Sequence, residues 1–195
     1  MISNKTKVEL YNFGVAEIDI TPQPGVDLYT LDEISRNSNH INSHLNASAI
    51  VINYQNESLI IVSLDLIWVD QVFSSSVKDW VSYKYGPSNI NVLLVATHSH
   101  STPQISEKIR NSARPNSEYI SFLYKQICKV IEKAWENKEK CYAKLSITNP
   151  NLAVNRRKKI IDIKLLKRGL LKTIVANRPN YNGACDDSLY SIWFY

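Results

Sequence analysis

Apolar and polar residues alternate through VELYNFGVAEIDITP, residues 8–22, with the period of two that a half-buried strand shows, and Pro22 closes the run. The stretch that follows, PQPGVDLYTLDEISRNSNH, opens with turn formers and has no period. Long irregular loops of this kind often carry function. The pattern then predicts a hairpin: a strand over residues 47–54, a turn at QNES, and a strand over 59–66 whose LIIVSL run suits burial on both faces. DQVFSSSVKDWVSYKYG predicts a helix capped by Asp70 and stopped by Gly86 and Pro87, with Val72, Val77, Trp80 and Val81 on its inner side. NINVLLVATHSHSTP predicts a second buried strand that ends around His98.

The clearest helical pattern is NSEYISFLYKQICKVIEKAWENKEK. There Tyr119, Phe122, Leu123, Ile127, Val130, Ile131 and Trp135 recur at spacings of three and four, behind a cap at Asn116 or Ser117. Residues 141–157 then read as a strand, a turn and a short extended piece, and SLYSIWFY alternates as a last strand. Strand, helix and strand in succession make a parallel pair. The expected class is therefore α/β (α+β), a mixed β-sheet core with flanking helices, in a single domain over residues 1–195. The last strand has no polar exit after Trp193, Phe194 and Tyr195, so the natural fold is expected to continue beyond them.

Composition narrows the function classes. With 44% hydrophobic and 21% charged residues, the 195-residue chain has enough apolar surface for a packed core, which argues against wholesale disorder. The three cysteines form no CxxC pair and are odd in number. They predict free thiols in a reducing compartment, not a disulfide framework or zinc finger, with Cys128 a buried small hydrophobe. No apolar h-region opens the chain and no run reaches the length of a membrane span, so the expected location is cytoplasmic. Much of the +5 net charge sits in NRRKKIIDIKLLKRGLLK. That stretch is either a solvated face beside buried Ile and Leu or a patch for nucleic acid or a membrane surface. The lack of interleaved aromatics counts against nucleic acid.

The candidate chemistry lies in NVLLVATHSHSTPQ. His98 and His100 are half of the four histidines, and in an extended chain residues two apart face one side. At the carboxyl end of a buried strand they are either part of a zinc site or a polar strand end held by STPQ. No HxHxDH follows. His40 and His44 form HxxxH without the Glu of HExxH, in loop-like surroundings. Asp65, in SLDL, is either a carboxylate that receives the second N–H of a metal-bound histidine or a strand-end cap for the next turn.

Five segments in order, FGVAEIDITPQPGV, INSHLNASAIVI, LIIVSLDLIWVD, NVLLVATHSHSTP and LAVNRR, resemble the N-terminal domain of the neutral/alkaline (non-lysosomal) ceramidase family over most of the chain. The resemblance implies a zinc-dependent hydrolase that cleaves the N-acyl amide of ceramide, or another lipid or small-molecule amide or ester, with metal-activated water. It makes His98 a zinc ligand. His100 becomes a partner of the substrate's polar head or developing oxyanion, and Arg156 a substrate contact. The family's second histidine ligand follows the region matching DDSL, and its Glu and Tyr ligands come later still. The resemblance therefore implies an incomplete Zn2+ site here, with weak metal binding and little turnover, unless a further segment or partner chain completes it. STPQISEKIRNS stands where the family has a glycine-rich segment, and Arg157 and Lys158 where it tends to have small residues. A catalytically inactive binding or regulatory module on the same fold is the alternative, with a basic nucleic-acid or membrane-surface protein behind it.

Overall fold

The computed structural model describes residues 9–29, 36–86, 89–106 and 114–195. Val8, the loop at 30–35 and the predicted helix stop at Pro87 lie outside them. The chain divides into two compact units, residues 1–142 with Tyr195, and Ala143–Phe194.

In the first unit a mixed sheet is built from β1 (Leu10–Asp19), β4 (Asn46–Tyr54), β5 (Glu57–Leu64), β6 (Ile90–Ala96) and the first residues of β7 (Glu139–Thr148), in the order β7-β1-β4-β5-β6. The short strands β2 (Asp27–Leu28) and β3 (Arg36–Asn37) pair with each other. β4 and β5 form the predicted hairpin around a two-residue turn, where Gln55 takes a left-handed φ of 51°. β5 and β6 are parallel and are linked by helix α1 (Gln71–Tyr85), as strand, helix and strand predicted.

Register decides which side chains share a face. The row Gly14, Val51, Ile60 and Val92 faces the core with Ala49 and Val62, under α1 and helix α2 (Ser117–Glu136). The alternate row is Val15, Ile50, Ile61 and Leu93. Val15 and Leu93 in it are about half exposed, at 50% and 51%. LIIVSL is therefore buried on one face only, because both helices lie on the same side of the strands. α1 turns Phe73, Val77 and Val81 inward, one every fourth residue. Val72, expected inside, is exposed because its neighbour Phe73 takes the inner position. Asn116 caps α2, and Cys128 is buried as expected, with burial pushing its thiol up to about 11. Gly14 is a matter of space: a Cβ there would lie 2.0 Å from the Ala134 carbonyl oxygen of α2.

The second unit consists of the rest of β7 paired with β10 (Leu189–Phe194), and a hairpin of β8 (Asn155–Ile161) and β9 (Thr173–Asn180) around the short helix α3 (Ile163–Leu166). The short extended piece expected before Arg157 is the start of β8, and the basic stretch is a hairpin. The Ile and Leu side chains expected to be buried beside the charges are mostly exposed.

Candidate active site

Because β5 and β6 are parallel, Leu64 and Ala96 end side by side, and the chain leaving each strand is fastened to the other. The backbone N–H of Thr97 donates to Leu64 O at 2.9 Å, and those of His98 and Ser99 donate to Leu66 O at 3.0 and 3.2 Å. The buried Thr102 hydroxyl accepts from Ile67 N at 3.1 Å and donates to Ser99 O at 3.2 Å. The Asp65 carboxylate accepts from Asn46 N at 2.9 Å and from the Thr97 hydroxyl at 3.2 Å. A loop tied at this many points holds its side chains in place. It lies at the carboxyl end of a parallel pair, where open α/β sheets take ligands.

His98 has a φ of 65°, in the left-handed region that non-glycine residues seldom adopt. β6 ends at Ala96, so the histidines do not share a side through strand alternation as expected. Here the loop that turns at His98 brings the two rings together, with centroids 4.9 Å apart and planes at 86°. His98 Nδ1 lies 3.1 Å from the Ile67 carbonyl. A carbonyl only accepts, so Nδ1 carries a proton, and in the neutral ring Nε2 carries the lone pair. Nδ1 of His100 is buried and has no hydrogen-bond partner among the described residues. The Trp68 ring stands edge-on to His98 at 4.8 Å, and Tyr29 edge-on to His100 at 6.0 Å.

Of the residues singled out in the sequence, His98, His100 and Asp65 gather at this end of the sheet, and Asp65 acts one residue upstream, on Thr97. Arg156 belongs to the second unit, where it is exposed and its Nε donates to Asn177 Oδ1 at 3.3 Å. His40 helps line a cavity of about 330 Å³ with Thr21, Ser38, Asn42, Ser99 and Ser101. His44 lies 2.6 Å from Asp19 Oδ2. Sequence reasoning missed Trp68 and Tyr29. For Trp68 the signal was an aromatic residue in LIWVD just past an apolar strand, and for Tyr29 its place in a long loop. Thr102 belongs to the STPQ segment expected to hold the strand end, and its hydroxyl ties Ile67 N to Ser99 O.

The donor set suits zinc in part. The second ring N–H of a metal-bound histidine is commonly held by a carbonyl or carboxylate, and Ile67 does this for His98 while leaving Nε2 available. Among the described residues no three His, Cys, Asp or Glu gather as a metal group, whereas a catalytic zinc takes about three protein ligands.

The class that these elements define is an α+β fold with a mixed sheet and helices on one face. It is a ceramidase-like fold. The neutral ceramidase from Pseudomonas aeruginosa superposes with a TM-score of 0.67 at 22% identity, over 83% of this chain and 26% of that one. A ceramidase solved in complex with C2 gives 0.64 at 23% identity, over 76% and 25%. The chain thus spans about a quarter of each of these structures. No protein-family model matches the sequence, and no curated protein does.

Proposed function

We propose that this chain carries the histidine part of a zinc-dependent, ceramidase-like hydrolase site that acts on an N-acyl amide. The carrying observation is the histidine loop. His98 is held in a left-handed turn with Nδ1 on the Ile67 carbonyl, against a His100 whose buried Nδ1 has no hydrogen-bond partner among the described residues. Backbone strain and an unsatisfied buried nitrogen are both costly, and both are typical of ligand sites. The fold shared with two ceramidase structures supports the reading.

In this reading His98 offers Nε2 to the metal, with its tautomer set by Ile67. When bound, zinc supplies Lewis acidity and lowers the pKa of water toward ~7. His100, whose ring stands edge-on against His98, is the substrate-side partner as negative charge develops on the amide oxygen. Asp65 is a positioning residue, holding Thr97 and so the start of the loop. Arg156 stands in the second unit with an exposed guanidinium, and its role as a substrate contact rests on the family resemblance alone. In this reading His98 is the one zinc ligand, and no group of three His, Cys, Asp or Glu gathers among the described residues, so zinc binding by this chain is expected to be weak and amide turnover low.

Imidazole nitrogen NMR during zinc titration tests this directly. The expected result is a shift of His98 Nε2 while Nδ1 stays protonated, abolished in His98→Ala. Unmoved His98 and His100 signals at saturating zinc, or shifts confined to His40 and His44, would sink the proposal.

A further inference from the structure

The β8–β9 hairpin carries an unusual combination of side chains. From Arg156 to Lys172 the sequence has eight Lys and Arg and one Asp, a local charge of +7 in a chain whose whole formal charge is +5. The single Asp162 accepts from the backbone N–H of Lys164 and Leu165, so it caps α3 and forms no salt bridge with the basic residues among the described contacts. Around the same tip, Ile161, Ile163, Leu166, Leu170 and Leu171 are 47%, 65%, 47%, 58% and 77% exposed.

The backbone of the tip is closed by hydrogen bonds despite this exposure. Asp162 N donates to Lys172 O at 2.8 Å to close the hairpin, Leu170 N to Leu165 O at 3.0 Å, and Gly169 turns with a φ of 78°. A closed loop that exposes several large apolar side chains and carries the exposed Lys164, Lys167, Arg168 and Lys172 among them in sequence is the arrangement of an interfacial anchor. Apolar side chains enter the acyl boundary, while the cations stay at the level of anionic headgroups.

We infer that the tip of the β8–β9 hairpin docks on an anionic lipid surface. Nucleic acid is the weaker match: phosphate contacts use the cations but leave Ile163, Leu170 and Leu171 in water, and the tip has no aromatic stacking platform. The inference is independent of the reading of the histidine site.

Co-sedimentation of the whole chain with phosphatidylcholine vesicles, with and without phosphatidylserine, tests it. The expected result is binding that requires phosphatidylserine and weakens with salt. Binding should fall by about tenfold or more in Leu170→Asp/Leu171→Asp, and also in Lys167→Ala/Arg168→Ala, with far-UV circular dichroism unchanged. Three outcomes overturn it: no vesicle binding, loss in the charge variant with none in the leucine variant, or equal affinity for duplex DNA that the leucine variant leaves intact. An ordered oligomer that loses all vesicle binding on assembly overturns it too, because the tip then covers itself.

Discussion

The two units of this chain are held together by different physics. All the buried hydrophobic residues among those described, from Ile20 to Ala134, belong to the first unit, where α1 and α2 close over one face of the sheet. The second unit has none, and its Leu145, Ile147, Leu152 and Trp193 stand 60%, 56%, 82% and 62% exposed. Polar groups organise it instead. The Asp187 carboxylate accepts from the backbone N–H of Asn151, Leu152 and Ala153, and the Asn155 side chain donates to Ala184 O at 2.7 Å. Such hydrogen bonds fix a shape but contribute only about 1 kcal/mol each, whereas full burial of one leucine contributes about 1.5–3 kcal/mol. The difference teaches that conformation and stability have separate sources here, and that the second unit's apolar surface is available for other contacts.

The sharpest test of that contrast is one large-to-small substitution in each unit. Leu123→Ala, at a fully buried position on α2, is expected to cost about 2–5 kcal/mol in chemical denaturation. Leu171→Ala, at a 77% exposed position, should change stability by no more than ~0.5 kcal/mol. Comparable losses in both would mean that the second unit has an apolar core after all. A smaller effect is expected at Gly14, where α2 lies against β1. An added Cβ 2.0 Å from the Ala134 carbonyl forces helix and strand apart, so Gly14→Ala should cost about 1–3 kcal/mol and lower the thermal midpoint. An unchanged midpoint would show that the helix–strand contact yields easily, and the rigid-core side of the comparison would fail.

The same division governs what was legible in the sequence. Where burial is one-sided, period and cap chemistry identify the element: α2, the β4–β5 hairpin, the Asp70 cap and the parallel β5–β6 pair follow from it. The pattern gave no sign that Ile61 and Leu93 would lie on an open face, because an uncovered face and a buried one carry the same residues. The hairpin of β8 and β9 escaped for a related reason: a basic run with interspersed Ile and Leu has neither period. His98 and His100 were visible by spacing, yet what brings them together is a left-handed turn and a bond to the Ile67 carbonyl. A backbone conformation and a backbone acceptor leave no mark on residue identity. The same holds for Asp187, which holds its turn through backbone donors alone.

The smallest expected effect compares one carboxylate in each unit. Hydrogen bonding from Thr21, with the His44 contact behind it, holds the Asp19 carboxyl below its ordinary value, and hydrogen bonds from Ser188 do the same for Asp186. A carboxylate whose folded value is depressed stabilises the folded state above the unfolded value of ~3.9, and that contribution is lost as pH falls through the lower folded value. Asp19 lies at the end of β1, beside the core that unfolds cooperatively, so its contribution should appear in global unfolding. Both groups are well exposed, so the effect is modest and weakens with salt. Asp19→Asn should therefore be less stable than the parent at neutral pH. The gap should narrow below ~pH 4 and shrink in high salt, followed by denaturation across the acid range. Asp186→Asn should leave the same curve unmoved, because its turn belongs to a unit without a core. If Asp186→Asn shifts the global curve as much as Asp19→Asn does, the two units unfold as one, and the separation of shape from stability fails with it.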